Sequence, residues 1–231
     1  MHPTLAFLQK VTPFQGLPAE ALEEIAILSH PRAVEEGSFF FMQGDEARYL
    51  YVLTQGRVKL TQIGADGQQI GMHMVAPGEM FAGVAVLDPK KGYPVNAEAA
   101  EDSSALAWEG AKLRELAARY PSLTLEIMAV MRSHIEEMHV RYRELSTERV
   151  EQRVARALVR LAMQMGKKQV DGGIELTLSR QDLAEMSGTT IFSTSRILSE
   201  WERQGLLEAG RERVVIHQAH ALVKIADDLS K

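Results

Sequence analysis

The chain of 231 residues contains no cysteine. Disulfides, cysteine-ligated iron–sulfur clusters and thiol redox sensing are therefore excluded. No apolar run approaches the ~20 residues that a membrane span requires. The N-terminal MHPTLAFLQK lacks the layout of a secretory signal, so the expected location is cytoplasmic, with no membrane partner. Strong charge of either sign is also missing. Lys and Arg number 26 against 31 Asp and Glu, a formal charge of −5, which argues against a generic polyanion binder. The deficit is uneven. From Glu148 onward there are 13 basic against 12 acidic residues, and before it 13 against 19. Any nucleic-acid contact must come from a local basic surface on a near-neutral C-terminal part. Arg180, Arg196, Arg203, Arg211 and Arg213 are the candidates.

Catalytic constellations are absent as well. No nucleophile-and-base pair is recognisable. Glu136 and Glu137 are adjacent, so on a helix they point roughly 100° apart. His134 and His139 are five residues apart, a rotation of roughly 140°, whereas the zinc-protease helix needs a spacing of four. His217 and His220 read as surface residues. Neither an enzyme nor a metal site is expected.

What is present concentrates in residues 178–198, LSRQDLAEMSGTTIFSTSRIL. Ser179 and Asp182 form a capping arrangement that satisfies free backbone N–H groups at a helix start. Leu183 and Met186 face inward, and Gly188 with Thr189 and Thr190 breaks the helix and starts another. Ile191, Ile197, Leu198, Trp201 and Leu206 recur at roughly helical spacing, leaving Ser193, Thr194, Ser195 and Arg196 among them. A helical hairpin with a solvated polar face is one reading. The other is a helix-turn-helix whose second helix enters the DNA major groove, where hydroxyls and an arginine reach base edges and phosphates. The residues C-terminal to this stretch favour the second. Gln204-Gly205 ends the helix, and LLEAGRERVVIH gives two strands around a turn at Gly210-Arg211. That is a wing, with Arg211 and Arg213 near its tip suited to phosphate contact.

The first hundred residues read as a β structure. After a helical lead from Leu17-Pro18 to Ser29, short apolar runs are punctuated by Gly37, Gly44, Gly56, Gly67, Gly78 and Gly110. Ala65-Asp66-Gly67 between alternating runs is a hairpin signal, and regular short strands imply a small barrel or roll. A long helix is expected over roughly Pro121 to Leu145. On it Ile127, Met131, His134, Met138, Arg141 and Leu145 alternate in steps of three and four, a coiled-coil-like seam. It packs either under its own roll or against a second copy. A dimer is favoured, since a twofold axis supplies the second half-site. Ile127, Met131, His134, Met138 and Leu145 are then its interface.

The expected fold is thus α+β: an N-terminal β-roll over 1–120, a dimerisation helix over 121–147 and a C-terminal winged helix-turn-helix over 148–231. In this order the parts resemble the Crp/Fnr family of bacterial transcription regulators. FMQGDEARYLYVLTQGRVKL (41–60), DGQQIGMHMVAPGEMF (66–81) and ERVEQRVARALVRLA (148–162) carry the likeness beside the recognition unit. The resemblance implies a cyclic-nucleotide-binding-like jelly roll and a homodimer on double-stranded promoter DNA. RNA polymerase is a further partner it implies. A small-molecule effector bound between roll and long helix would shift a pre-existing equilibrium.

Arg196 matches the family's recognition-helix arginine, expected at a guanine O6/N7 pair. Thr189, Thr190, Ser193 and Ser195 lie at neighbouring contact positions, Arg180 matches a phosphate-contacting arginine, and Arg211 sits on the wing. Ile191 and Phe192 stand where the cyclic-AMP branch has Arg and Glu, so an apolar contact, such as one with a thymine methyl, is expected there. In the effector pocket Gly83 replaces a glutamate, and Tyr93 and Pro94 replace the Arg-Ser pair. Met138 and His139 replace the Thr-Ser pair that reads the purine. Loss of a buried charged partner to a phosphate costs on the order of 2–5 kcal/mol, so the effector is expected not to be cyclic AMP. Met72, His73, Gly83, Tyr93, His134, Met138 and His139 are the pocket candidates. No cofactor is assigned, but imidazole and thioether suit haem, so a gas-sensing haem regulator is one alternative. The ligands of the carbon-monoxide-sensing branch are missing after Gly78-Glu79-Met80-Phe81. A regulator controlled by abundance, without any ligand, is the other alternative.

Overall fold

The computed structural model describes residues 3–65, 69–83, 86, 89–170 and 172–228. They form two compact units, Met1–Glu137 and Met138–Lys231.

In the first unit α1 (Pro3–Leu8) and α2 (Ala19–Ile27) precede eight strands among the described residues: β1 (His30–Val34), β2 (Phe39–Phe41), β3 (Tyr49–Gln55), β4 (Val58–Ile63), β5 (Gln69–Val75), β6 (Met80–Phe81), β7 (Asn96–Ala99) and β8 (Ser103–Glu109). The helix α3 (Gly110–Arg119) comes next, and α4 (Pro121–Thr147) begins in this unit and ends in the second. The strands make two four-stranded sheets, ordered β1-β8-β3-β6 and β2-β7-β4-β5, with antiparallel pairing throughout. This is the expected roll. Asp66 and Gly67, on which the hairpin expectation rests, lie outside the described residues. The flanking strands pair as that hairpin requires, with Ile63 opposite Gln69.

Strand alternation explains why the roll has two cores. On β3, Tyr51 and Leu53 point inward to Phe40, Phe41, Phe81 and Tyr93. Their neighbours Leu50 and Val52 point outward to the helices, joining Leu8, Phe14, Ile25, Trp108, Leu116, Leu123 and Ile127. The Trp108 indole N–H donates to the Ile25 carbonyl at 2.7 Å, which satisfies the one polar atom that this ring buries.

The second unit contains α5 (Val150–Met165), β9 (Lys167–Lys168), β10 (Ile174–Leu176), α6 (Arg180–Ser187), α7 (Ile191–Arg203), β11 (Leu207–Ala209), β12 (Val214–Ile216) and α8 (Ala219–Ala226). The expected wing is the pair β11–β12. It belongs to a larger sheet, β11-β12-β10-β9, whose β9 and β10 are too short to stand out as alternating runs. Leu158, Leu161, Leu183, Leu198, Trp201 and Leu222 fill the core.

Two expectations about helix faces need correction. Ile191 is exposed on α7, and the buried position of that turn is Thr194. On α4, Ile127 is only 4% exposed and packs in the core of its own unit, so it is withdrawn from the dimer seam. Met131 is half-buried. The exposed apolar side chains of α4 include Met128, Ile135, Met138, Tyr142 and Leu145. With Met131 they fall at the a and d positions of a heptad repeat. This exposed stripe departs from half of the expected seam by one residue, about 100° around the helix.

Candidate nucleic-acid interface and ligand cavity

Local backbone chemistry builds the helix-turn-helix. The Asp182 N–H donates to Ser179 Oγ at 3.0 Å, and the Asp182 carboxylate reaches back to the Ser179 N–H, closing the expected capping box on α6. Gly188 ends α6 in the left-handed region, at φ 61° and ψ 47°. A Cβ there would also collide with Leu145 Cδ2, so glycine serves both the turn and the close approach. Thr190 caps α7: its Oγ1 accepts from the Ser193 N–H at 3.2 Å and donates to Ser193 Oγ. Both hydroxyls are thus engaged in starting the helix. Thr189 is half-buried in the turn. Arg153 ties the turn to α5, donating to the Ser187 and Gly188 carbonyls at 2.9 and 3.1 Å.

Trp201 and Leu198 anchor α7 in the core. Its opposite face carries Phe192, Ser195, Arg196 and Ser199 at spacings of three and four. Phe192 is 83% exposed; Arg196 and Ser199 are exposed, and Ser195 is half-buried. The Arg196 guanidinium has no hydrogen-bond or ion-pair partner among the described residues. Ser199 was missed from sequence, although its position one turn beyond Ser195 could have revealed it.

The other arginines divide. Arg211, at the wing tip, is exposed and also unpartnered among the described residues. Arg180 is half-buried and donates to the Ala209 carbonyl at 3.4 Å. Arg213 is held between Glu175 at 2.7 Å and Glu208 at 3.3 Å, and Arg203 pairs with Glu200. These last two are less available for phosphate than the sequence suggested. His217 and His220 are exposed.

The first unit holds a cavity of about 160 Å³ between the roll and α4. Gly83, Tyr93 and Pro94, expected there in place of three polar residues, do meet on its wall with Phe41, Phe81, Val130, Met131 and His134. Tyr93 stacks on Phe41 with ring centroids 3.8 Å apart. Its hydroxyl is already engaged, donating to the Tyr49 carbonyl and accepting from the Tyr49 N–H, both at 2.9 Å. Among the described lining residues there is no lysine or arginine.

His73 stands behind this wall. Its ring lies 5.9 Å from that of His134, with Nε2 at 2.9 Å from Glu79 and Nδ1 at 3.8 Å from Glu137. Burial pushes the Glu79 carboxyl up. The opposing effects of His73, the Ala76 N–H and His134 are together stronger and hold it below the ordinary range. Burial and the neighbouring His73 keep His134 below the usual histidine value, against the pull of Glu137 and Glu79. Glu79 and Glu137 were missed as partners of His73, for only the fold brings them there. The side chain of Met72 lies outside the described residues. Met138 and His139 are exposed and belong to the second unit.

Among the described lining residues only His134 presents an imidazole to the cavity, while the Nε2 of His73 is engaged by Glu79. Among the described residues no group of three or more His, Cys, Asp or Glu could hold a metal ion. No helix there is long and apolar enough to cross a membrane.

Residues 31–120 match the cyclic nucleotide-binding domain and residues 152–225 the Crp-like helix-turn-helix domain. The chain belongs to the Crp/Fnr family. It is 28% identical to the cyclic AMP receptor protein of Thermus thermophilus over 94% of this chain and 97% of that one. It is 27% identical to the transcriptional activator Anr of Pseudomonas protegens, over 85% and 80% respectively. In structure it resembles the c-di-GMP-responsive regulator CLP of Xanthomonas campestris, with a TM-score of 0.76 at 21% identity, covering 86% of this chain and 99% of that one. Membership makes this Crp/Fnr protein a DNA-binding transcription regulator. These relatives are regulators, not enzymes.

Proposed function

We propose that the chain is a homodimeric, operator-specific regulator whose roll binds a small-molecule effector other than cyclic AMP. The observation that carries the DNA reading is the unpartnered Arg196, exposed beside Phe192, Ser195 and Ser199 on the face of α7 away from its core. A guanidinium that no carboxylate neutralises is ready for a guanine edge. Phe192 adds an apolar contact of the kind a thymine methyl offers. Thr190 and Ser193 aim the helix, while Arg180 and Arg211 take phosphates, contacts that fix register without reading sequence.

Dimerisation is supported by the exposed heptad of α4, Met128, Ile135, Met138, Tyr142 and Leu145, with half-buried Met131 at the remaining a/d position. A lone chain leaves this apolar surface in water, and a parallel copy buries it. A division into roll, dimerisation helix and winged domain accords with this reading. Against cyclic AMP stands the replacement of its three polar partners by Gly83, Tyr93 and Pro94 on one wall. The test is selection of preferred duplexes from random DNA by the purified protein. Recovery of an inverted-repeat site, lost with Arg196→Ala, is the expected result. Selection of no common site, or retention of the same preference by the variant, would overturn the reading.

A further inference from the structure

We infer that the cavity of the first unit binds a neutral, largely apolar molecule about one aromatic ring in size, carrying a single hydrogen-bonding group that meets His134. This rests on the reading of the roll as an effector-binding domain and names the class of effector. Size comes first. A cavity of about 150 Å³ walled by apolar side chains takes up benzene, and this one measures about 160 Å³.

Charge comes second. The described wall offers no cation to an anionic ligand. Two carboxylates, Glu79 and Glu137, lie just behind it around His73. An anion entering would lose its hydration without a counter-charge and meet their field, a cost that proteins avoid. A cation gains no carboxylate on the described wall either, because Glu79 and Glu137 are turned to His73.

The polar handle comes third. Tyr93 is the other lining side chain with a hydrogen-bonding group, and both its donor and its acceptor are used by Tyr49. The His134 imidazole makes no hydrogen bond among the described residues. Its neutral form offers one N–H and one bare nitrogen, so an alcohol, phenol or amide group satisfies it. The aromatic rings of Phe41, Phe81 and Tyr93 favour a flat, apolar body beside it.

Three probes sharing one ring and one carbon separate these points: toluene, benzyl alcohol and benzoate. The full-length chain without DNA is titrated with each, monitored by ligand-observed NMR and by the thermal transition. Benzyl alcohol is expected to bind with Kd at or below about 1 mM and to raise the transition. Benzoate and cyclic AMP should bind at least about tenfold more weakly, the factor that corresponds to one unmet interaction. In Val130→Phe, which fills the cavity, benzyl alcohol binding should be lost. In His134→Leu, benzyl alcohol should lose its advantage over toluene while toluene still binds, which shows that the variant is folded. Preference for benzoate or cyclic AMP would overturn the inference. So would failure of all ring probes to bind, or unchanged benzyl alcohol binding in both variants. Because the readout involves no DNA, such a failure leaves operator recognition standing.

Discussion

The two arginines of α7 differ in their availability to a ligand. Arg196 is exposed and unpartnered, whereas Arg203 on the same helix is neutralised by Glu200. Removing a bidentate arginine–guanine contact costs about 1–3 kcal/mol, so Arg196→Ala should weaken operator binding by roughly 5- to 150-fold. Its affinity for random DNA should barely change, as fluorescence anisotropy on both duplexes would reveal. Arg211 belongs to the other class. Arg211→Ala should weaken all sequences alike and lower the slope of log affinity against log salt by about 1. A third residue matters for the fold. Gly188→Ala forces a Cβ into the left-handed region and onto Leu145, so the second unit should lose about 1–2 kcal/mol or more. Calorimetry would measure this, and adding Leu145→Ala should recover the part due to collision.

At the scale of the element, α4 is a helix with two jobs on different faces. Leu123 and Ile127 are buried in the core of the first unit, and His134 faces the cavity. The outward stripe through Met128, Ile135, Met138 and Tyr142 is exposed and is the surface of the proposed dimer. Charging it with Ile135→Glu and Tyr142→Glu should give monomers in sedimentation velocity, with the roll still folded by circular dichroism. The turn between β5 and β6 carries Glu79 to His73 and couples the roll to pH. Glu79 is held below its ordinary range, so its stabilisation is present above that range and is lost as pH falls through the lowered value. His134 is held below the usual histidine value near 6.5. The unfolded chain therefore binds more protons over the interval below 6.5. Both groups act in the same direction. The melting temperature of the first unit should fall as pH drops from 7.5 towards 5, and His134→Leu should flatten the upper part of that fall.

For the whole molecule, modest charge is consistent with selectivity. The formal charge of −5 discourages loose association with a polyanion, so affinity must come from a few well-placed groups. The proposed dimer would present each of them twice, so loss of the α4 stripe should weaken DNA binding far more than loss of one phosphate contact. The two halves of an operator would then mirror the twofold axis of the proposed dimer.

Local signals determined much of this from the amino-acid order alone. Ser179 with Asp182, Gly188, Thr190 and the paired runs of the wing act over a few residues, and the backbone geometry they encode is independent of distant partners. The absence of cysteine likewise settled which redox chemistry is closed to the chain. Three matters depended on tertiary structure. Which face of α4 is buried cannot be read from a seam in which Ile127 and Met128 are both apolar; the packing of the roll chose Ile127. Which arginines are free depends on carboxylates far along the chain, as Glu175 shows for Arg213. And the cavity joins Gly83, Tyr93 and His134, residues from separate elements. Its size and lack of charge arise only when strands and helix meet, because burial and pairing are properties of neighbours in space.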